Sequence, residues 1–343
     1  MKNEAKKTIL VTGGAGYIGS HTCVELLASG YEVVIADDLR NSKPRVVDRI
    51  AQVAGRPVGF YRVDVCDEGA LERVFAAHQI DAVIHFPGLK AVGESVQKPL
   101  LYYQNNLGAT VSLLAVMDRF GVRKIAFSSS ATVYANPQPP IAEDADRGCT
   151  NPYGWSKFMS ERIIEDWQRT SETKSAILLR YFNPIGAHES GQLGEDPQGI
   201  PNNLFPYIAR VAGGLYPCLS IFGADYDTKD GTGVRDYIHV DDLARGHVLA
   251  LAYLDTHRGA RAINLGTGVG YSVFDVLHAY ERACGRELPY HILPRRAGDV
   301  AELWADPTLA RQLLGWTASK SLDDMCTSGH RWQTMNPKGY EDE

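Results

Sequence analysis

The sequence of 343 residues lacks the long apolar segments that insertion into a membrane requires. No stretch approaches the roughly 18 consecutive apolar residues of a membrane span. The N-terminus is charged, and the apolar run that follows it, Ile9 to Val11, is too short for the core of a signal peptide. These absences lead us to expect a cytoplasmic protein with no membrane partner.

Cysteine pairs and an excess of positive charge are missing as well. The six cysteines are scattered and form no C-x-x-C pair, so the sequence predicts neither a zinc site nor a redox pair, and we expect no metal. The net charge of -6 makes the chain a poor generic binder of nucleic acid. Any anionic ligand must therefore be held by local donors. The cysteines are Cys23, Cys66, Cys149, Cys218, Cys284 and Cys326.

Over its first 183 residues the sequence alternates short β-branched runs with helical patterns. Near-continuous apolar strands separated by helices predict a parallel sheet covered on both faces. The predicted fold class is therefore α/β, a doubly wound parallel sheet (Rossmann) with a smaller C-terminal α/β substrate domain. We expect the domains to span 1–183 and 184–343, with the strand and helix of 234–253 returning to the first domain. The apolar runs are Thr8–Val11, Tyr31–Ala36, Ala82–Phe86, Lys124–Phe127 and Ile177–Tyr181.

A glycine-rich turn follows the first apolar run and indicates a dinucleotide site. Gly14, Gly16 and Gly19 form G-x-G-x-x-G between a predicted strand and a predicted helix. Such a turn lets the backbone approach a pyrophosphate, which then lies at the helix N-terminus. A glycine turn that only packs is the alternative, and the motif by itself is weak.

The second predicted strand ends at Asp37, followed by Asp38. A carboxylate there accepts a hydrogen bond from the ribose 2′-OH of NAD and repels the 2′-phosphate of NADP. The nearby cations Arg40 and Lys43 leave NADP open as an alternative.

Tyr153 and Lys157 form a Y-x-x-x-K pair at the start of a predicted helix, which puts them one turn apart on the same face. An ammonium beside a phenol favours the phenolate, and a tyrosine with an ordinary pKa of about 10 needs this help to act as a base near neutral pH. An ordinary helix with a surface lysine is the alternative.

The run Ser128–Tyr134 follows another predicted strand, where its hydroxyls could contact a ligand or merely cap a helix.

Together these residues resemble the nucleotide-sugar epimerases of the extended short-chain dehydrogenase/reductase family. The match runs nearly end to end, and its longer segments are far more specific than the glycine turn. They are His85–Phe86, Gly88–Ser95, Phe127–Tyr134, Arg180–Pro184, Gly194–Leu204, Gly231–Val240, Pro294–Arg296 and Gly298–Asp299.

The resemblance implies an NAD-dependent isomerase that inverts C4 of a UDP-hexose and serves galactose metabolism. UDP-galactose and UDP-glucose would interconvert through a 4-keto intermediate, with transient hydride transfer to bound NAD. In this view 1–183 binds NAD and 184–343 binds the UDP-sugar. It also implies a homodimer, because other enzymes of the family pair helices of the first domain into a bundle.

The resemblance implies roles for individual residues as well. The catalytic set is Tyr153 as base and acid, Lys157, Ser130 and Thr132. The cofactor set is Gly13, Gly16, Tyr17, Ile18, Gly19, Asp37, Asp38, Asn41, Ser42, Asp64, Val65, Phe86, Pro87, Gly88, Lys90, Asn105, Ser128, Tyr153, Lys157 and Tyr181. The substrate set is Lys90, Ser130, Tyr153, Phe182, Asn183, Asn203, Leu204, Ser220, Ile221, Phe222, Arg235, Tyr237, Arg296, Asp299 and Leu303.

Three positions depart from the family pattern. Pro87 replaces a small residue and removes a backbone N–H that could have reached the cofactor. Ala135 stands where glycine is usual, and Gly108-Ala109 replaces a polar-Gly pair. Leu303 matches the position that gates the sugar pocket, where tyrosine excludes 2-acetamido sugars and a small residue admits them. We therefore expect UDP-glucose and UDP-galactose to be preferred, with weak turnover of UDP-N-acetylglucosamine.

Four alternatives remain open. A UDP-N-acetylhexosamine or UDP-pentose 4-epimerase differs little from the leading interpretation in sequence. A nucleotide-sugar 4,6-dehydratase needs a carboxylate pair, yet the positions for it hold Ala131 and Thr132. A non-catalytic NAD-binding scaffold would be expected to lose Tyr153 or Lys157, and both are present.

Overall fold

The computed structural model of the chain describes residues 6–86, 88–135, 138–296 and 298–341. Its elements in chain order are β1 (Thr8–Thr12), α1 (Tyr17–Ala28), β2 (Glu32–Asp37), α2 (Arg45–Ala54), β3 (Gly59–Arg62), α3 (Glu68–Ala77), β4 (Ala82–His85), α4 (Val92–Gln97), α5 (Pro99–Arg119), β5 (Lys124–Ser130), a 3₁₀ turn (Ala131–Val133), α6 (Pro152–Arg169), β6 (Ser175–Tyr181), β7 (Asn183–Ile185), α7 (Leu204–Ala212), β8 (Leu219–Phe222), β9 (Val234–His239), α8 (Val240–Thr256), β10 (Gly259–Leu265), β11 (Gly270–Ser272), α9 (Val273–Cys284), β12 (Tyr290–Leu293), β13 (Glu302–Leu303), α10 (Thr308–Leu314) and α11 (Leu322–Met335).

The chain divides into two compact units. The segment that returns to the first unit is Ala244–Ile263, where 234–253 was expected, because β9 pairs with strands of the second unit. The short segment Tyr134–Arg147 belongs to the second unit, which the sequence did not indicate. The first unit consists of the chain up to Val133, Gly148–Arg180 and Ala244–Ile263, and the second consists of Tyr134–Arg147, Tyr181–Leu243 and the chain from Asn264 onward.

The first unit is built on a seven-stranded sheet with the order β10-β6-β5-β4-β1-β2-β3. The pairs β1–β2, β1–β4, β2–β3 and β4–β5 are parallel. The strand order reverses at β1, which makes the sheet doubly wound and confirms the predicted fold class. In such sheets ligands bind at the carboxyl ends of the strands where the order reverses, here β1 and β4.

The core of the first unit explains why its strands read as continuous apolar runs. Leu10, Val83, Ile125 and Leu178 from four strands are all at most 1% exposed and belong to one buried cluster with side chains of α3, α5 and α6. Because helices cover these strands, polar residues are tolerated chiefly at the strand ends, where the candidate site lies.

The second unit has a separate core and smaller sheets. Strand β9 pairs in parallel with β7 and β13 and antiparallel with β11, while β8 pairs in parallel with β12. Helices α9 and α11 both begin with a capping box, Ser272 with Asp275 and Ser321 with Asp324, which satisfies the first amides of each helix. Across both units, none of the described helices combines the length and apolar character needed to span a bilayer.

Candidate active site

The glycine turn lies between β1 and α1, at the carboxyl end of the sheet. Gly13 has φ +70°, and a Cβ there would lie 2.4 Å from the carbonyl oxygen of Phe86. Gly16 is the N-cap residue of α1 and brings no side chain to the first-turn amides, and Tyr17, Ile18 and Gly19 form that turn. The first turn holds no acidic residue. The helix N-terminus therefore favours a negatively charged ligand.

Asp37 ends β2 and shapes the same turn. It is 8% exposed, and its carboxylate accepts hydrogen bonds from the amides of Ala15 at 3.0 Å and Leu39 at 2.9 Å. Burial raises the pKa of this carboxyl, and the two amide bonds oppose the rise. The hydroxyl of Ser42 donates to the carbonyl of Ala15, which fixes the turn from the other side.

Of the two cations that left NADP open, Arg40 is paired with carboxylates. The guanidinium of Arg40 lies 3.1 Å from Asp38 and 3.5 Å from Asp64. Both acids belong to the predicted cofactor set, and this pairing favours a dinucleotide without a 2′-phosphate. Asn41 is exposed in the adjoining loop, and Val65 packs against the core of the unit.

A second close approach lies after β4, where Gly88 meets α5. A Cβ on Gly88 would lie 1.9 Å from Oδ1 of Asn105, and that buried oxygen has no hydrogen-bond partner among the described residues. The neighbouring Asn106 exchanges two hydrogen bonds with Leu89 and donates to Ser156 on α6. The predicted Pro87 falls outside the described residues, and Lys90 is exposed in this loop.

These features fit a bound dinucleotide. A glycine turn without side chains, an acceptor at the end of β2 and an orphaned buried acceptor on α5 are the groups that a pyrophosphate, a ribose and a nicotinamide amide would contact. No group of three or more His, Cys, Asp or Glu side chains within the described residues is placed to hold a metal ion.

Helix α6 positions the Tyr153–Lys157 pair. Asn151 caps it by accepting from the amide of Gly154 at 2.9 Å, and Pro152 occupies its first turn. The Nζ of Lys157 donates to the carbonyl of Ser128 at 2.6 Å and lies 5.8 Å from the centre of the Tyr153 ring. The structure therefore brings the predicted tyrosine and lysine together at the end of β5.

Burial governs the ionisation of this pair. It lowers the pKa of Lys157 to about 7, and the charge of Glu161 opposes the shift. Burial raises the pKa of the Tyr153 phenol, and a hydrogen bond from Ser130 opposes that rise. Burial therefore favours the uncharged form of each group, the protonated phenol of Tyr153 and the neutral amine of Lys157.

Ser130 and Thr132 complete the predicted catalytic set. The hydroxyl of Thr132 donates to Oγ of Ser130 at 3.0 Å, and its amide donates to the same atom at 3.2 Å. Ser130 is therefore oriented from the 3₁₀ turn that follows β5 and hydrogen-bonds to Tyr153. All four predicted catalytic residues belong to one cluster of the first unit.

The second unit brings part of the predicted substrate set together. The guanidinium of Arg296 lies 4.8 Å from the centre of the Phe222 ring and 3.0 Å from the carboxylate of Asp299. Arg235 donates to the carbonyl of Val234 at 2.8 Å. Burial raises the pKa of Tyr237 to about 12 against the opposing charges of Arg235 and Arg296, which places all three near one another.

The remaining predicted substrate residues lie at element ends or on the same strands. Leu303 on β13 pairs with Arg235 on β9. Ser220 hydrogen-bonds to His291 across the β8–β12 pair, and Asn203 precedes α7 without capping it through its side chain. The other members are placed just after β6 (Phe182), at the start of β7 (Asn183), at the start of α7 (Leu204) and on β8 (Ile221), and Tyr181 of the predicted cofactor set ends β6.

Two buried residues next to the catalytic cluster could not be predicted from the sequence. Glu161 and Arg180 form a buried ion pair that also contacts Ser129. The only sequence signal for Glu161 is its spacing of one helical turn after Lys157, and nothing in the sequence alone links it to Arg180 on β6.

The dinucleotide turn and the Tyr–Lys pair at the carboxyl end of one doubly wound sheet define an enzyme class in which a nicotinamide cofactor and a tyrosine base act together. A family model described as "NAD dependent epimerase/dehydratase family" matches residues 9–266. The chain belongs to this family.

Individual relatives are similar over nearly their whole length. A UDP-glucose 4-epimerase of Bacillus subtilis is 56% identical over 334 residues, covering 97% of this chain and 98% of that protein. The UDP-glucose 4-epimerase of Homo sapiens is 55% identical over 340 residues, with 97% and 98% covered. The crystal structure of UDP-glucose 4-epimerase from Bifidobacterium longum in complex with NAD⁺ and UDP has a TM-score of 0.94 and 55% identity, with 97% of this chain and 100% of that chain covered.

Proposed function

We propose that this chain is a UDP-glucose 4-epimerase that interconverts UDP-galactose and UDP-glucose with bound NAD. The observation that carries the proposal is the cluster of Tyr153, Lys157 and Ser130 at the end of a strand, in a unit whose glycine turn fits a dinucleotide. The similarity to UDP-glucose 4-epimerases over the full length supports the choice of substrate.

In the proposed mechanism Tyr153 removes the proton of the sugar 4-OH, and Ser130 hydrogen-bonds to the same oxygen. NAD supplies the hydride acceptor for C4 and later the hydride donor. The 4-keto sugar turns over about its bond to the diphosphate, so that C4 regains hydride on its opposite face, and Tyr153 returns the proton to the 4-oxygen. In this proposal the ammonium of Lys157, 5.8 Å from the centre of the Tyr153 ring, opposes the rise in the Tyr153 pKa that burial causes, so that one residue acts as base and then as acid.

We assign the UDP moiety to the second unit. Arg235 and Arg296 supply charge and forked donors for the diphosphate. Phe222 presents an aromatic face beside Arg296, and Asp299 is an acceptor for the uridine ribose. Asn183, Asn203 and Leu204 border the same ligand in this proposal.

The residues that follow β5 disfavour dehydration of the sugar as the reaction of this site. Elimination needs an acid and a base beside C5 and C6 of the sugar. The 3₁₀ turn after β5 holds Ala131 and Thr132, and neither side chain is a carboxylate.

The first test is product analysis after purified protein is incubated with UDP-galactose and no added NAD. UDP-glucose is the expected product, because the cofactor is regenerated in each cycle and is expected to stay bound. If nothing forms, NAD is added. Activity restored by added NAD would indicate that the protein retains its cofactor weakly, with Pro87 as the expected cause. No product even after NAD is added would contradict the proposal.

A variant pair tests the role of Tyr153. Tyr153→Phe should retain bound NAD and lose roughly 10²-fold to 10⁴-fold in kcat, the usual contribution of a general base. Tyr253→Phe on α8 is the matched control, because its ring stacks on His257 and its hydroxyl has no part in the proposed site. Unchanged turnover in Tyr153→Phe would remove that residue from its role.

We also propose a homodimer formed by α5 and α6. Apolar side chains on these helices are exposed in the single chain: Leu100 by 72%, Val111 by 50% and Met159 by 40%. Such a patch favours association with a second copy. Sedimentation of the Val111→Asp variant should show a shift to monomer.

The six cysteines are all free thiols, which supports a reducing compartment such as the cytoplasm.

A further inference from the structure

A fully buried ion pair, Glu161 with Arg180, lies next to the catalytic pair Tyr153 and Lys157. Glu161, one helical turn after Lys157 on α6, has a side chain that is 0% exposed, and Arg180 on β6 is 2% exposed. Arg180 Nε donates to Oε1 of Glu161 at 2.9 Å, and its Nη2 donates to Oε2 at 2.8 Å. Desolvating two charges offsets much of their attraction, so stability alone is a weak reason for such a pair.

The carboxylate of Glu161 also contacts the strand that carries the catalytic serine. The hydroxyl of Ser129 donates to Oε1 of Glu161 at 2.5 Å. The residues on either side of Ser129 bind the catalytic pair, since Ser128 accepts from Lys157 and Ser130 hydrogen-bonds to Tyr153. Successive strand residues point to opposite faces. Glu161 therefore holds the side chain of the residue that lies between the two residues bound by the catalytic pair.

Glu161 is also the negative charge that acts on Lys157. Burial lowers the pKa of Lys157 to about 7, and the charge of Glu161 raises it. The other ionisable groups that act with Lys157 are Tyr153 on α6 and His85 on β4, and burial lowers the pKa of His85 to about 3. Both are neutral near neutral pH unless Tyr153 ionises.

We propose that Glu161, held in place by Arg180, is a positioning residue for the epimerase reaction. It fixes the strand end Ser128–Ser130 against α6 and supplies the negative charge that faces Lys157. The link to the reaction rests on the proposed function, whereas the effect on Lys157 is a property of the folded chain.

Glu161→Gln tests the charge, because glutamine keeps the shape and the acceptor for Ser129. Loss of the carboxylate lowers the pKa of Lys157, so the neutral amine appears at lower pH. We expect the alkaline limb of the kcat profile to move down by about one pH unit, and kcat at about pH 8 to fall roughly tenfold relative to wild type. Glu165→Gln, one turn further along α6, is the matched control and should keep the wild-type profile.

Two further variants separate positioning from charge. Arg180→Lys keeps a cation but loses the planar fork, and Ser129→Ala removes the strand contact. Both should lower kcat at all pH values and leave the midpoint of the alkaline limb in place. If Glu161→Gln does not fold, the double variant Glu161→Gln/Arg180→Met removes both charges and should show a shift in the same direction but smaller, because no unpaired cation remains near Lys157.

A measurement without substrate keeps this proposal distinct from the proposed function. The rate at which acetic anhydride labels Lys157, followed by peptide mass spectrometry across pH, gives its pKa directly. We expect the midpoint in folded Glu161→Gln to lie about one pH unit below wild type. An unchanged midpoint with lower thermal stability would show a purely structural role and overturn the proposal. Absence of UDP-galactose turnover in wild type would contradict the proposed function and leave this labelling test intact.

Discussion

Leu303 on β13 is the direct partner of Arg235 on β9 in a parallel pair. Paired residues of neighbouring strands project from the same face of a sheet, and both side chains are partly exposed. If Arg235 binds the diphosphate, as proposed, Leu303 lies beside the group that joins the nucleotide to the sugar. The size of the side chain at 303 is then expected to limit which sugars fit.

Leu303→Gly should therefore admit 2-acetamido sugars. We expect wild type to prefer UDP-galactose over UDP-N-acetylglucosamine, and the glycine variant to raise kcat/KM for the N-acetyl sugar about tenfold or more, the scale of a few methylene groups in a pocket. Leu303→Tyr should abolish the weak N-acetyl activity. Both activities are measured by chromatography of the products.

Glu302→Gly controls for loss of strand order, because Glu302 pairs with Val234 on the same short strand β13. It should leave the ratio of the two activities unchanged. Equal kcat/KM of wild type for both sugars, or no gain in Leu303→Gly, would contradict the assignment of this pocket.

Asp37→Asn should weaken NAD binding. The carboxylate accepts from the amides of Ala15 and Leu39 and is proposed to accept from the ribose as well. An amide group replaces one acceptor oxygen by a donor, so at least one of these bonds is lost. We expect Kd for NAD to rise about tenfold, equivalent to one charge-assisted hydrogen bond, by calorimetric titration of cofactor-free protein.

Asp48→Asn on α2 changes the same net charge at an exposed position and should leave Kd unchanged. If Asp37→Asn binds NAD as wild type does, the carboxylate at the end of β2 does not contact the ribose.

Local patterns in the sequence were sufficient to predict most of the first unit. The apolar strands, the glycine turn and the Tyr153–Lys157 spacing each depend on residues close together in the chain, and the structure joins them as expected. The Glu161–Arg180 pair could not be predicted, because it joins a helix to a strand that only the fold brings into contact.

The assignment of the segment Tyr134–Arg147 to the second unit could not be predicted from the sequence either. Tyr134 donates to the side chain of Asn264 at 2.6 Å, and the amide of Asn264 donates to Glu143. These partners lie more than a hundred residues apart, and no periodicity connects them. The three hydrogen bonds of the Asn106 side chain were not predicted either, because they join α5 to a loop residue, Leu89, and to Ser156 on a second helix.

Two adjacent asparagines on α5 allow cofactor binding to be separated from stability. Asn105 has a buried Oδ1 without a partner in the part of the chain that the structure describes, whereas Asn106 binds Leu89 twice and Ser156 once. Asn105→Ala should leave the stability of cofactor-free protein nearly unchanged and weaken NAD binding. Asn106→Ala should lower the free energy of unfolding by about 2 kcal/mol or more, because it leaves buried backbone groups of Leu89 without partners.

Thermal unfolding of the cofactor-free variants and titration with NAD measure the two effects. The opposite pattern, with Asn105→Ala destabilised and its NAD affinity intact, would show that Oδ1 of Asn105 has a structural partner in solution.

His85 should make stability depend on pH. It is fully buried between the hydroxyls of Thr12 at 2.7 Å and Thr110 at 3.3 Å, and burial lowers its pKa from 6.5 to about 3. The unfolded chain therefore binds a proton at this residue below about pH 6.5 that the folded chain does not. Its contribution is fully present above that pH and is lost progressively as the pH falls towards about 3.

His85→Gln removes the titration and keeps an amide that can bond to both threonines. Between about pH 7 and about pH 5 wild type should lose roughly 2 kcal/mol more unfolding free energy than this variant. Urea unfolding of both proteins at several pH values measures the difference, and His257→Gln, at an exposed position, should follow wild type. Parallel curves for wild type and His85→Gln would mean that His85 is solvated and charges in the folded protein, which its burial between the two threonines argues against.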